Sequence, residues 1–147
     1  MSAQDVAKLR EEMGAGMMDV KRALDSVGGD YEKAKAALLA SGLAKADKKG
    51  DRVAGAGYLD CYIHGGRIGV LLEIFAETDF VTRSEDFRGA ARNVAMQISA
   101  TAPETTEALL AQPYLRDESL TVEQYLKTVV AKVGENIKIS RFTRYQL

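Results

Sequence analysis

Residues 58–77 read YLDCYIHGGRIGVLLEIFAE, two stretches of alternating apolar residues on either side of a glycine pair. An alternation of period two is typical of β-strands, and Gly65-Gly66 is typical of the two-residue turn of a hairpin. These residues therefore predict an antiparallel β-hairpin. The side chains expected to face the core are Leu59, Cys61 and Ile63 in the first strand and Ile68, Val70, Leu72 and Ile74 in the second.

Helices and a third strand are predicted on the C-terminal side of this hairpin. Ser84 can cap a helix that ends near Pro103, and Thr121 with Gln124 forms a capping box that opens another helix. The expected elements are helices at 84–103, 105–111 and 121–133 and a strand at 136–145. Residues 57–147 are therefore predicted to form an α+β fold of three antiparallel strands with helices on one face.

The first 42 residues predict a small module of three helices. Glycines separate the helices, Asp30 can cap the third, and Gly42 is expected to end it. Residues 43–56 are charged and contain two glycines, which is typical of a linker. The expected organisation is a three-helix module at 1–42, a linker at 43–56 and an α+β core at 57–147. About 40 residues is near the lower limit for an independent fold, so the module should be marginal alone.

The composition is that of a globular protein, with 147 residues, 46% apolar and 28% charged, and a net charge of −1. This balance argues against broad binding of nucleic acid, which needs a clear excess of basic residues. No run of about 18 apolar residues is present, and the N-terminus has no apolar signal segment, so a cytoplasmic protein is expected. One cysteine and one histidine cannot supply a disulfide or a Cys/His zinc site within one chain.

Few side chains suggest catalysis. Cys61 and His64 are three residues apart on a predicted strand, so they should face opposite sides. No glycine-rich nucleotide-binding motif is present, and neither a cofactor nor a metal site is expected. Glu77 and Asp79 have the spacing of a paired-carboxylate or metal site, but the simpler interpretation, a loop with two solvated acids and the anchoring phenylalanine Phe80, is favoured by the residues alone. The sequence therefore disfavours an enzyme.

Two other segments are candidates for partner contacts. The adjacent methionines Met17 and Met18 follow the turn at 14–16. A small core cannot accommodate both side chains, so one of them is expected to be exposed and to form an adaptable contact with a partner. The segment from residue 136 to 147 contains Lys138, Arg141 and Arg144 and no acidic residue. Arg141 and Arg144 are a candidate basic strip for RNA, although three positive charges are few for that role.

Three segments together resemble the elongation factor Ts family. They occur in the order of the family and cover most of the chain. The first joins KLR at 8–10 to GAGMMD at 14–19, the second joins IGVL at 68–71 to ETDFV at 77–81, and the third joins KVGENI at 132–137 to RF at 141–142.

The resemblance implies a guanine-nucleotide exchange factor of elongation factor Tu. It implies that residues 1–42 adopt a fold similar to ubiquitin-associated domains and dock on the partner's nucleotide-binding domain. The residues placed at that contact by the resemblance are Arg10, Met17, Met18 and Asp19. Those that would enter the partner beside its magnesium site are Thr78, Asp79, Phe80 and Val81, with Asp79 and Phe80 as the principal pair.

The chain departs from the family pattern at several positions. Met13 stands where threonine is common, and Phe75-Ala76 where an Asn-Cys pair is frequent. The chain resembles compact members, which form homodimers through their sheets, and residues 100–120 look shortened even beside those. Thr143 stands where such members can carry a cysteine, so a non-covalent dimer through the open sheet face is expected. A non-catalytic adaptor and an RNA-binding translation protein are the alternative interpretations.

Overall fold

The computed structural model describes residues 2–147, which contain seven helices and three strands. In chain order they are α1 (Ala3–Met13), α2 (Met17–Ser26), α3 (Tyr31–Asp47), β1 (Ala56–His64), β2 (Ile68–Ala76), α4 (Asp79–Thr82), α5 (Glu85–Thr101), α6 (Thr106–Ala111), α7 (Val122–Val133) and β3 (Lys138–Gln146). The predicted α+β fold class is confirmed. Within residues 2–147 no helix is both long enough and apolar enough to cross a membrane.

The first three helices enclose a small apolar cluster. Ser2 and Asp5 form a capping box at the start of α1, and Asp30 caps α3 by accepting the Lys33 amide at 3.0 Å. The cluster consists of Val6, Leu9, Val20, Leu24, Ala34 and Leu38. These side chains recur at helical spacing, so each helix buries one face against the other two.

Helix α3 is longer than predicted. It passes through Gly42 and ends at Asp47, so the first part of the predicted linker is helical. A Cβ at position 42 would lie 3.5 Å from Cβ of Ala131, and Lys127 Nζ lies 2.7 Å from Oδ1 of Asp47. Packing along α7 therefore outweighs the low helix propensity of glycine, and Ala46 at the end of α3 joins the larger core.

The sheet has the order β1-β2-β3, and both pairs are antiparallel. The predicted inner face of β2 is confirmed, because Val70, Leu72 and Ile74 are buried beneath the helices. The hairpin turn has three residues instead of two, since His64 pairs with Ile68. The amide of Arg67 closes the turn by donating to the carbonyl of His64 at 3.0 Å.

The predicted inner face of β1 is wrong. Leu59, Cys61 and Ile63 are exposed, whereas Asp60 is buried at 6% exposure and Tyr58 and Tyr62 pack on the core. The aspartate tolerates burial because Arg92 of α5 pairs with it. The side of the sheet away from the helices is called the open face here, and it carries Leu59, Cys61, Ile63, Leu71, Glu73, Arg141, Thr143 and Tyr145.

Candidate partner-binding site

A single helical turn, α4, follows the end of β2 and carries the candidate residues Asp79, Phe80 and Val81. Thr78 caps this turn, with its Oγ1 accepting the amide of Val81 at 3.4 Å. Val81 is buried at 5% exposure, whereas Phe80 is 82% exposed. The turn is therefore anchored by Val81 and presents Phe80 to solvent, so the simpler loop interpretation with an anchoring phenylalanine is wrong.

Thr78 is held by a residue that lies far away in sequence. Glu135 accepts the Thr78 amide at 2.9 Å on one carboxylate oxygen and the Thr78 hydroxyl at 2.7 Å on the other. The neighbouring Glu77 accepts the amide of Asn136 at 2.9 Å. The start of α4 is thus joined to residues 134–137, between α7 and β3.

The two candidate carboxylates Glu77 and Asp79 have different partners. Glu77 faces Asn136 and lies 3.7 Å from Nη1 of Arg52, whereas Asp79 is exposed and pairs with Arg83 one turn further along. They do not form a carboxylate pair. Within residues 2–147 no group of three or more His, Cys, Asp or Glu side chains is arranged to hold a metal ion.

The N-terminal candidates lie around the first turn of α2. Met17 and Met18 are both exposed, at 47% and 62%, so two methionines face solvent where only one was expected. Asp19 accepts from Arg22 at 3.1 Å and from Lys45 of α3 at 3.2 Å. Arg10 is exposed at the end of α1. Met17 and Met18 are thus exposed next to the charged group of Asp19, Arg22 and Lys45, and the described part of the chain gives no contact between Arg10 and these side chains.

The turn before α2 packs on the α+β core. Gly14 ends α1 with a φ of +60°, and a Cβ there would lie 2.5 Å from Cγ of Lys132 in α7. Lys132 in turn pairs with Asp86 at the start of α5 at 3.3 Å. The lysine stem therefore lies across the glycine, and this contact places the first turn of α2 relative to the core.

Arg141 and Arg144 do not form the candidate basic strip. Arg141 lies on the open face and donates to Glu73 at 3.1 and 3.2 Å. Arg144 points to the helical side and donates to the carbonyl of Ser99 at 3.0 and 3.1 Å. The two residues are three apart in one strand, so their side chains face opposite sides.

Comparison with known proteins identifies the family. A family model described as Elongation factor TS matches residues 77–147, which include α4 and residues 134–137. The whole chain is 40% identical to elongation factor Ts of Desulforamulus reducens and covers 89% of that protein. The chain belongs to the elongation factor Ts family. It is therefore a translation elongation factor.

Other members of the elongation factor Ts family also differ from this chain in length. The protein from Coprothermobacter proteolyticus is 37% identical, with 98% of its length covered. The protein from a Nostoc species is 47% identical, but this chain covers only 47% of it. The alignment to the Desulforamulus reducens protein spans 193 positions, more than the 147 residues of this chain. These members therefore contain segments that this chain does not.

Sequence reasoning located Thr78–Val81 through the family resemblance but missed Glu135 and Asn136 as functional candidates. Both lie within the KVGENI segment, where a polar pair follows the glycine that ends α7. Asn136 is 5% exposed, and a buried polar residue next to a helix end requires a partner. The side-chain amide of Asn136 donates to the carbonyls of Arg52 and Gly50, which lie 84 and 86 residues away, so the local pattern does not identify these partners.

Proposed function

We propose that this protein is the guanine-nucleotide exchange factor of elongation factor Tu. It binds the GDP form, disturbs the magnesium site and promotes release of GDP so that GTP can bind. The observation that carries this proposal is the exposed ring of Phe80 on an anchored helical turn, within the segment matched by the family. The protein makes and breaks no covalent bond in this role, so it is not an enzyme in the chemical sense. A translation factor of this kind would work in the cytoplasm.

Phe80 and Asp79 have complementary roles in this proposal. The phenyl ring is a rigid apolar wedge that separates two packed elements of the partner, because packed elements switch between discrete arrangements. Asp79 is exposed and brings a carboxylate that can accept charge-assisted hydrogen bonds near the metal. Displacing the magnesium ion removes the largest positive charge on the diphosphate. By linkage, bound GDP then weakens the complex as much as the complex weakens GDP binding.

The spot around Met17 and Met18 supplies a second contact in the proposed complex. Methionine side chains are flexible and polarizable, so they adapt to a partner surface. Arg10 and Asp19 would border this contact. The proposed role of this spot is affinity, whereas Phe80 acts on the rate of nucleotide release.

The test is release of a fluorescent GDP analogue from elongation factor Tu. The wild-type protein should accelerate release, and Phe80→Ala should lose most of the acceleration while still binding. Leu115→Ala is the matched control, because Leu115 is an exposed apolar residue on a different loop. The exposed methionines also fit the alternative of a non-catalytic adaptor. Binding without acceleration by the wild-type protein would favour that alternative.

We further propose a non-covalent homodimer through the open face. Its apolar side chains Leu59, Ile63 and Tyr145 are 59%, 63% and 77% exposed. A sheet covered by helices on one side leaves such a face available to a second copy. Sedimentation at micromolar concentration should give a dimer, and Ile63→Lys should give a monomer. A monomeric wild-type protein would contradict this part of the proposal.

A further inference from the structure

The end of β2 and the residues before β3 are joined by a reciprocal pair of contacts. Glu77 accepts the backbone amide of Asn136, and Glu135 accepts the backbone amide of Thr78. Each carboxylate therefore satisfies a backbone donor of the opposite segment. The contact between Glu135 and Thr78 restrains α4 more strongly, because Glu135 also accepts the hydroxyl of Thr78 at 2.7 Å.

We propose that Glu135 is a positioning residue that holds Phe80 in the orientation needed for nucleotide exchange, an inference that rests on the proposed function. The two donors of Thr78 bind the two oxygens of one carboxylate, which fixes both the backbone and the side chain of Thr78. Thr78 is the cap of α4, and Phe80 lies two residues further along.

Helix α4 depends on such external contacts. It comprises Asp79–Thr82, a single turn, and isolated turns of this length are unstable in water. Its C-terminal half is fixed by burial of Val81 and Thr82. Its N-terminal half is exposed. Within the turn, the Thr82 hydroxyl donates to the carbonyl of Asp79, and Asp79 pairs with Arg83, whereas the bonds from Thr78 to Glu135 tie this half to a distant segment. Loss of the Glu135 carboxylate would therefore free the half that carries Phe80.

The backbone of Glu135 is itself well supported. Gly134 ends α7 by donating its amide to Val130 at 2.9 Å, and Ile137 is buried at 7% exposure. Between them, the side-chain amide of Asn136 donates to the carbonyls of Arg52 at 2.8 Å and Gly50 at 3.3 Å. Glu135 is thus presented from a segment fixed on both sides, which is what a positioning residue requires.

The experiment compares Glu135→Ala and Glu135→Gln in the full-length protein with Glu118→Ala as a control. Glu118 is exposed in the loop before α7, so its removal changes the net charge equally without touching the site. Glu135→Ala should lower the maximal rate of GDP release about tenfold, the loss expected for about one charge-assisted hydrogen bond. The concentration that gives half of the maximal rate should change much less. Glu135→Gln should retain most of the rate, because the amide oxygen can still accept the Thr78 amide.

Two further readouts separate positioning from general stabilisation. In a Phe80→Ala background, Glu135→Ala should cause a much smaller loss of rate than in the wild-type background, because the principal group that it positions is gone and only Asp79 remains. The amides of Thr78 and Val81 should exchange hydrogen faster in Glu135→Ala, while that of Leu72 in β2 keeps its protection.

Three results would overturn the inference. One is an equal loss of protection at Leu72 and Thr78 in Glu135→Ala, and another is a multiplicative effect of Glu135→Ala and Phe80→Ala. The third is unchanged hydrogen exchange at Thr78. If the wild-type protein fails to accelerate GDP release, the proposed function fails, and hydrogen exchange alone then decides whether Glu135 positions α4.

Discussion

Arg92 on α5 and Asp60 on β1 are joined by two parallel hydrogen bonds, 3.0 Å from Nε and 3.1 Å from Nη2 of the arginine. The two side chains differ in exposure, because that of Asp60 is 7% exposed and that of Arg92 is 52% exposed. The pair therefore ties the hairpin to the long helix through one buried and one half-solvated charge.

Removing Arg92 should destabilise the protein more than removing Asp60. Arg92→Ala leaves a buried carboxylate without its partner, at a cost of about 3 kcal/mol. Asp60→Ala leaves a guanidinium that can turn to water, at a cost of about 1 kcal/mol. Urea denaturation measures both, with Arg10→Ala as the control, because Arg10 is an exposed arginine for which no ion pair is described within residues 2–147. The reverse order of stabilities would contradict this account of the pair.

Gly14→Ala should be more harmful than Gly28→Ala. Both glycines have positive φ, at +60° and +66°, so alanine is strained by about 1 kcal/mol at either position. Only at position 14 would the new Cβ also displace Lys132; around position 28 no described atom lies within 4 Å of the corresponding point. Thermal denaturation of the two variants isolates the contribution of the docked lysine. Equal melting temperatures would show that the contact contributes nothing to stability.

Acid should weaken the packing of the first three helices. The hydrogen bond from Lys35 of α3 holds the pKa of Glu12 in α1 below its ordinary value of 4.5. The contribution of this contact is therefore present above the ordinary pKa and is lost as the pH falls through the lower folded value. Circular dichroism melting between about pH 7 and about pH 3 should show this loss. Glu12→Gln should have a smaller pH dependence, and an unchanged pH profile would contradict the prediction.

Met18→Ser should weaken binding to elongation factor Tu without lowering the maximal rate of GDP release. Met18 is 62% exposed at the proposed second contact, and anchors of this kind contribute about 1–2 kcal/mol to binding. The concentration for half-maximal exchange should therefore rise about tenfold. Met96→Ser is the matched control, because Met96 is 38% exposed on α5. A lower maximal rate in Met18→Ser would place this residue in the exchange step itself.

The fold could be predicted where local patterns were unambiguous. The inner face of β2 was predicted correctly because its alternate residues are large and apolar. The inner face of β1 was not, since the buried Asp60 depends on Arg92, which lies 32 residues further along. Likewise, glycine at position 42 normally favours the end of a helix, but the contact with Ala131 keeps α3 continuous.

The candidate site was predicted only in part. The family resemblance located residues 78–81, but it could not establish that Phe80 faces outward while Val81 anchors the turn. The outward orientation of Phe80 and the burial of Val81 depend on the core around Val81 and on the hydrogen bonds between Thr78 and Glu135. These two residues are 57 positions apart in the sequence. Contacts of this range arise from the tertiary fold and leave no periodic pattern.

The continuity of α3 affects how two modest contacts combine. This helix of 17 residues, about 25 Å long, carries Ala34 and Leu38 in the N-terminal cluster and Ala46 in the main core. The helix therefore keeps Met18 and Phe80 at a fixed separation. Under the proposed function, once one of these residues is bound to elongation factor Tu, the other meets its own contact site on the same molecule at a high effective concentration. Under the proposed function, the complex is held by avidity while each contact alone dissociates quickly. Loss of either one would then weaken the complex without abolishing it, and so speed release of the factor for the next round.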